Sequence, residues 1–292
     1  MYYHQLNPLI ATIGPLQLHW YSLAYLAGFL GTYAWLHHLA KQQAIPNLTT
    51  ELVDQYTLYA MLGVLLGGRI FEFIFYHPRL LVTEPIELLR IWHGGMSFHG
   101  GLIGVILVTW LFTKKHRITF LALSDALVIP TSLALALGRI MNFVNGELWG
   151  TLTEGNPWYC IDYTHNPYLS NSPRGCRYPS QLFEATKNLI IFTILVWQQR
   201  FRRRQEGFLS WLFITLYGLL RFIVTFWRDD PRIIFNLSEG QLLCILMIII
   251  GIYGLYKTRR YQHLKKSNKR QHPRQKTKNH ENHPKSSKRT LP

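Results

Sequence analysis

Gly138-Arg139-Ile140-Met141-Asn142-Phe143-Val144-Asn145-Gly146-Glu147-Leu148-Trp149-Gly150 closes an apolar stretch that opens near residue 120. A charged side chain deep in a membrane-spanning helix costs about 2.5–3.5 kcal/mol on insertion scales, so an Arg and a Glu at the end of such a stretch mark a site. Lipid is the expected solvent for the rest of the chain as well. Of the 292 residues, 48% are hydrophobic and 14% aromatic, and only 16% are charged.

Working outward from this run, apolar stretches of the length needed to cross about 30 Å of hydrocarbon fall at 19–38, 55–76, 97–113, 120–140, 181–198, 208–226 and 240–256. With seven crossings, the basic clusters Lys114-Lys115-His116-Arg117, Arg200 to Arg204 and the C-terminal tail share one side. Lys and Arg concentrate in cytoplasmic loops, so that side is the cytoplasm. The expected fold is therefore an all-α polytopic membrane protein of about seven transmembrane helices, with its N-terminus outside and its C-terminus cytoplasmic. The longest connection, 141–180, is rich in Pro, Gly, Asn and Tyr and is expected to form a small external cap.

Two units follow, a membrane domain over 1–256 and a basic tail over 257–292. The tail carries 13 Lys/Arg against one acidic residue, Glu281, so that +12 of the net +16 lies there. Its composition cannot bury enough surface to offset ordering, and disorder is expected. Such a segment can rest on anionic headgroups or merely fix topology. No aromatic platform is interleaved with its charges, and nucleic acid is not an expected partner. Met1-Tyr2-Tyr3-His4-Gln5 lacks the basic region of a cleaved signal peptide, so the first apolar stretch is expected to be retained. Cys160, Cys176 and Cys244 have no metal-ligand spacing. Cys160 and Cys176 share the long connection, where an exported face permits a disulfide without their spacing requiring one.

The polar groups converge at one end. Arg69 and Glu72, and Arg139 and Asn142, are spaced i,i+3; Tyr217 and Arg221 are spaced i,i+4; each pair shares a helix face. Tyr21 opens the first stretch, next to Trp20, and could equally be an aromatic-belt residue. An outer half lined by Arg69, Arg139 and Arg221, with His99 at its mouth, attracts an anion through charge-assisted hydrogen bonds, and a lipid phosphate is the candidate at hand. Arg69 with Glu72 also reads as a self-neutralising ion pair. The paired glycines of His93-Gly94-Gly95-Met96-Ser97-Phe98-His99-Gly100-Gly101 permit close backbone approach to a ligand, with His93 competing for the role of His99. Asp125, about 21 Å along the same helix from Arg139, reads as structural.

Together, Ile13-Gly14-Pro15, His19-Trp20-Tyr21, Gly67-Gly68-Arg69-Ile70, Gly94 to Gly101, Gly138 to Gly150, Pro179-Ser180-Gln181-Leu182-Phe183-Glu184, Tyr217-Gly218 and Arg221 resemble the bacterial phosphatidylglycerol–prolipoprotein diacylglyceryl transferases over about residues 10–256. The resemblance implies a multi-pass enzyme of the bacterial cytoplasmic (inner) membrane. It would move the diacylglyceryl group of phosphatidylglycerol onto the thiol of a lipobox cysteine in a prolipoprotein signal peptide, form a thioether and release glycerol phosphate. It further implies catalytic roles for His99, Arg139, Arg221 and Tyr217. Substrate would be bound by Arg139, Asn142, Asn145, Glu147, Tyr21, Arg69 and Gly100. No metal or organic cofactor is implied, and a monomer is expected. The chain departs from the family pattern at Met141, where a small residue is usual, at Tyr178, where His is usual, and at Thr225, where an acidic residue is usual. The competing classes are an organic-anion transporter, which needs a polar route to the inner face, and a lipid- or lipoprotein-binding protein without activity, which would lack the base.

Overall fold

The computed structural model describes residues 1–271 except 15, 91–93, 170 and 202–204, with only the backbone at 13, 16 and 261–271. His93, Pro15 of the first motif, Arg202 to Arg204 and the tail from 272 onward lie outside the described residues. The chain begins with strand β1 (Tyr2–Tyr3) and the antiparallel pair β2 (Leu9–Ile13) and β3 (Leu16–His19). Helices α1 (Trp20–Lys41), α2 (Thr50–Phe75), the single turn α3 (Leu80–Thr83), α4 (Phe98–His116) and α5 (Phe120–Val144) follow. The next connection holds β4 (Ile161–Asp162) and β5 (Cys176–Arg177). Then come α6 (Ser180–Phe201), α7 (Phe208–Val224), the pair β6 (Arg232–Ile234) and β7 (Leu237–Ser238), and α8 (Glu239–Gln271).

Each apolar stretch found in the sequence is thus a helix. Among the described residues, four helical segments, Thr50–Phe75, Phe120–Val144, Phe208–Trp227 and Glu239–Arg260, are long and apolar enough to cross a membrane. Several faces look outward with Leu, Ile and aromatic residues, as on α4 with Leu102, Ile103, Ile106, Leu107 and Trp110, which suits a lipid environment. Helix α8 runs on to Gln271, through the start of the basic segment where the sequence reading expected irregular chain. The short strands have no counterpart in the all-α expectation, because two to five residues are too few to leave a period-2 signal.

Helix pairing follows from small residues. Along α2 and α4, Gly63 and Gly67 face Gly104 and Gly100 so closely that a Cβ at Gly100 would run into the Gly67 carbonyl and the Phe71 side chain. These glycines bring two backbones together, the usual device where lipid removes the hydrophobic drive between helices. At one end of the bundle Leu36, Leu39, Leu48, Val53, Leu123 and Phe112 surround the buried Tyr56, whose hydroxyl meets Thr109 Oγ1 at 2.9 Å. At that same end Asp125 accepts from the Gly207 and Ser210 amides at 2.7 and 2.8 Å and from Ser210 Oγ at 2.7 Å. The carboxylate satisfies the orphan donors that start α7, the structural role its position suggested.

The opposite end is stitched by the connection between α5 and α6. Strand β4 pairs in parallel with β1 and antiparallel with β5. Cys160 and Cys176 form a disulfide with their Cα atoms 5.5 Å apart, which settles the pairing the spacing had left open. Helix α5 continues to Val144, so the connection starts later than residue 141. That extra turn carries Asn142 on the helix itself.

Candidate active site

Arg139 and Asn142 lie one turn apart on α5, and Arg139 Nη1 donates to Asn142 Oδ1 at 3.3 Å. Past Val144 the chain reverses through Gly146, whose φ of +65° is a conformation L side chains rarely adopt. The reversal lets the Glu147 amide donate to the Asn142 carbonyl at 3.0 Å and swings the Glu147 carboxylate under the turn. Its Oε1 accepts from Asn142 Nδ2 at 2.8 Å and from Asn145 Nδ2 at 3.4 Å. Asn142 Nδ2 also lies 3.3 Å from the Tyr21 hydroxyl at the start of α1. Asn145 Oδ1 is buried and has no partner among the described residues, an acceptor held ready within the turn.

The turn is braced from behind. Gln181 Nε2 donates to the Glu147 carbonyl at 2.7 Å and reaches the Tyr163 hydroxyl at 3.2 Å, while Ser180 Oγ donates to the Leu148 carbonyl at 3.0 Å. Burial pushes the Tyr163 phenol up to about 12, so it stays neutral beside Gln181. His4 completes the brace. Its Nε2 is 2.6 Å from the Phe143 carbonyl, which can only accept, so the proton sits there and Nδ1 accepts from Asn166 Nδ2 at 2.6 Å. Burial lowers the His4 pKa from its ordinary value, partly offset by the bond to Phe143.

The sign of this linkage is fixed. Between the lowered folded value and the unfolded value near 6.5, the unfolded chain binds more protons, so stability rises with pH through that window. Thermal stability in detergent is expected to be pH-independent on His4's account above about 6.5 and to fall as pH drops below it. His4→Asn should flatten that slope. An unchanged slope in the variant would assign the acid sensitivity to another group.

A second layer sits on α6. Glu184 is fully buried and accepts an ion pair from Arg221 Nη1 on α7 at Oε1. Its Oε2 faces Lys187 Nζ at 3.3 Å and Arg139 Nε at 3.7 Å. Lys187 Nζ also lies 3.7 Å from the centroid of the Tyr217 ring, so Tyr217 joins this layer through a cation–π contact. The other side of Arg221 meets Asp230 at 3.8 Å, a carboxylate shared with Arg228 at 3.0 Å. Three cations around one buried carboxylate leave the interior positively biased, a setting for an anion.

Of the residues named from sequence, Tyr21, Arg139, Asn142, Asn145, Glu147, Tyr217 and Arg221 come together here. Arg69 is held elsewhere. Its guanidinium donates to the carbonyls of Glu87, Leu88, Arg90, Gly94 and Gly95, gathering the loop before α4. Glu72 is 3.7 Å from His77 instead. His99 is exposed in the first turn of α4, its ring against Phe98. No polar contact among the described residues joins it to Arg139, Arg221 or Glu184. Gly100 is used in packing α4 on α2. The sequence reading quoted Gln181 and Glu184 within a motif but gave them no role, and it did not single out Lys187 or Asp230. The signal for Glu184 and Lys187 was present, since an acid and a base at i,i+3 within an apolar helix need explaining as much as Arg139 does.

A family model described as LGT, prolipoprotein diacylglyceryl transferase, matches residues 8–257. The chain belongs to the prolipoprotein diacylglyceryl transferase family. Curated relatives named phosphatidylglycerol–prolipoprotein diacylglyceryl transferase include one from Hydrogenovibrio crunogenus, 40% identical over 256 residues and covering 85% of this chain and 93% of the relative. Those from Legionella pneumophila and Neisseria gonorrhoeae are 39% and 36% identical, covering 86% and 87% of this chain and 96% of each relative. Against the family pattern, the departure at Thr225 now has a setting. Thr225 is fully buried, its Oγ1 donating back to the Arg221 carbonyl at 2.8 Å, and the carboxylate beside Arg221 comes from Asp230. At Tyr178 the side chain stacks on Tyr159 while its carbonyl accepts from the Gly150 amide at 3.2 Å, a use any residue could serve.

Proposed function

We propose that this chain transfers the diacylglyceryl group of phosphatidylglycerol to the thiol of the lipobox cysteine in prolipoprotein signal peptides, the first step of bacterial lipoprotein maturation. The carrying observation is the placement of Arg139 and Arg221 on either oxygen of the buried Glu184, beside the Asn142–Glu147 turn. In this reading the substrate thiol loses its proton, attacks the diacylglyceryl carbon, and a carbon–oxygen bond breaks as glycerol phosphate leaves. Negative charge grows on the departing phosphate, so fixed guanidinium groups stabilise the transition state more than the ground state. Asn145 Oδ1, without a partner among the described residues, accepts from a hydroxyl of the glycerol headgroup, while Tyr21 lines the pocket. The nucleophile comes from the acceptor peptide, and the chemistry uses no metal or organic cofactor.

All seven long helices cross the membrane in this reading, with the site outside and the linked connection between α5 and α6 as an external cap. Support comes from the basic residues: Lys41, Lys114, Lys115, Arg117 and Arg200 end or follow helices at the pole opposite Arg139. The protein acts as a monomer in the bacterial inner membrane, with residues 1–256 as its transferase unit and the basic tail after it in the cytoplasm.

His99, exposed at the start of α4, takes the thiol proton. A free thiol has a pKa near 8.5, so a neighbouring base raises the thiolate fraction at neutral pH. His99→Asn is expected to retain phosphatidylglycerol binding and to slow transfer by about 10²–10⁴-fold. The test is the pH–rate profile of transfer to a lipobox peptide. A profile unchanged in shape and height would remove His99 as the base.

A further inference from the structure

Lys187 has no task in the chemistry above, yet it sits at the centre of the charge cluster. It is one turn beyond Glu184 on α6 and only 3% exposed. Its ammonium lies 3.3 Å from Glu184 Oε2, 3.1 Å from Asn188 Oδ1 and 3.7 Å from the Tyr217 ring centroid. Burying an ammonium costs several kcal/mol even when paired, and an apolar side chain of the same volume fills such a place at lower cost. Burial also keeps Lys187 from touching substrate.

What Lys187 changes is the hold of Glu184 on the two arginines. Arg221 closes on Oε1, while Oε2 has no hydrogen-bond partner among the described residues and is faced by the Lys187 charge more closely than by Arg139 Nε, at 3.3 against 3.7 Å. Arg139 Nη2 has no partner among the described residues, and Nη1 has only the 3.3 Å contact to Asn142. We propose that Lys187 is a positioning residue: by setting its charge against Glu184 Oε2 it weakens the pull of the carboxylate on Arg139 and leaves that guanidinium free for an anionic headgroup. Arg221 is thereby the fixed arginine and Arg139 the available one. The inference rests on the reading of this site as the phosphatidylglycerol pocket.

The test uses the purified full chain with phosphatidylglycerol in mixed micelles and a lipobox peptide, comparing Lys187→Met and Lys187→Arg with the unsubstituted chain. Lys187→Met keeps length and removes charge. It is expected to raise KM for phosphatidylglycerol on the order of tenfold with a smaller change in kcat, and to lose a similar factor of preference for phosphatidylglycerol over phosphatidylcholine in competition. Lys187→Arg restores both. Should Lys187→Met not fold, Lys187→Gln, which keeps a polar head of similar length without the charge, is read in its place with the same expected rise in KM. Transfer by the unsubstituted chain with KM and lipid preference unchanged in the uncharged Lys187 variant overturns the inference alone, as does an equal KM rise in the uncharged and Arg variants. No transfer by the unsubstituted chain overturns the site reading and this inference with it.

Discussion

Arg139→Ala is expected to cut kcat/KM for diacylglyceryl transfer by about 10²–10³-fold, the loss seen when one fixed donor to a developing negative charge is removed. Arg139 is partly exposed and engages Glu184 only at 3.7 Å and Asn142 at 3.3 Å, so the fold does not lean on it. The protein should therefore insert and elute from detergent as the unsubstituted chain does. Arg139→Lys should fall between the two, since a single ammonium keeps charge but loses the planar fork that matches a phosphate. Initial rates over a phosphatidylglycerol series decide it. Alanine activity within a few-fold of the unsubstituted enzyme would exclude Arg139 from phosphate stabilisation.

Glu184→Gln should fail for a different reason. Glu184 is fully buried, and it is the counter-charge for Arg221, Lys187 and Arg139 together. Removing one partner of a buried ion pair costs about 3–5 kcal/mol, because the remaining charges stay desolvated without compensation. Thermal unfolding in detergent should shift down strongly, and transfer should fall as Arg221 loses its anchor. Adding Lys187→Met should recover part of the stability, since one uncompensated cation is then gone. A single variant as stable as the unsubstituted protein would mean that the cluster is hydrated and that Glu184 carries little of it.

Much of the fold was legible because hydropathy reports lipid-facing helices directly. The boundaries were less so. Helix α2 begins at Thr50, ahead of its apolar run, because Thr49 Oγ1 accepts from the Leu52 amide and starts the helix with polar residues. Helix α5 reaches Val144 because Ile140 to Val144 keeps a helical conformation past the point where charge interrupts the hydropathy.

At the site, the i,i+3 spacing of Arg139 and Asn142 carried over into structure, since local spacing on one helix survives any tertiary arrangement. Arg69 did not join them. The loop that turns back to give it five carbonyl acceptors is non-local, and nothing in its own helix announces that contact. The glycines around His99 permit close approach of either a ligand or another helix, and only the neighbouring backbone of α2 decides between them. Glu184 stands in a motif the sequence displays, but its role as counter-charge depends on the packing of α6 against α5 and α7, which spacing along one helix does not reveal.

The most direct measurement uses phosphatidylglycerol carrying one label in an acyl chain and a second in the headgroup glycerol, incubated with purified protein and a lipobox peptide. The account predicts that acyl label moves to the peptide as headgroup label is released as glycerol phosphate, in equal amounts, and that neither moves when the lipobox Cys is Ser. Acyl label on the Ser peptide, or a folded protein that binds the lipid and moves neither label, would contradict it.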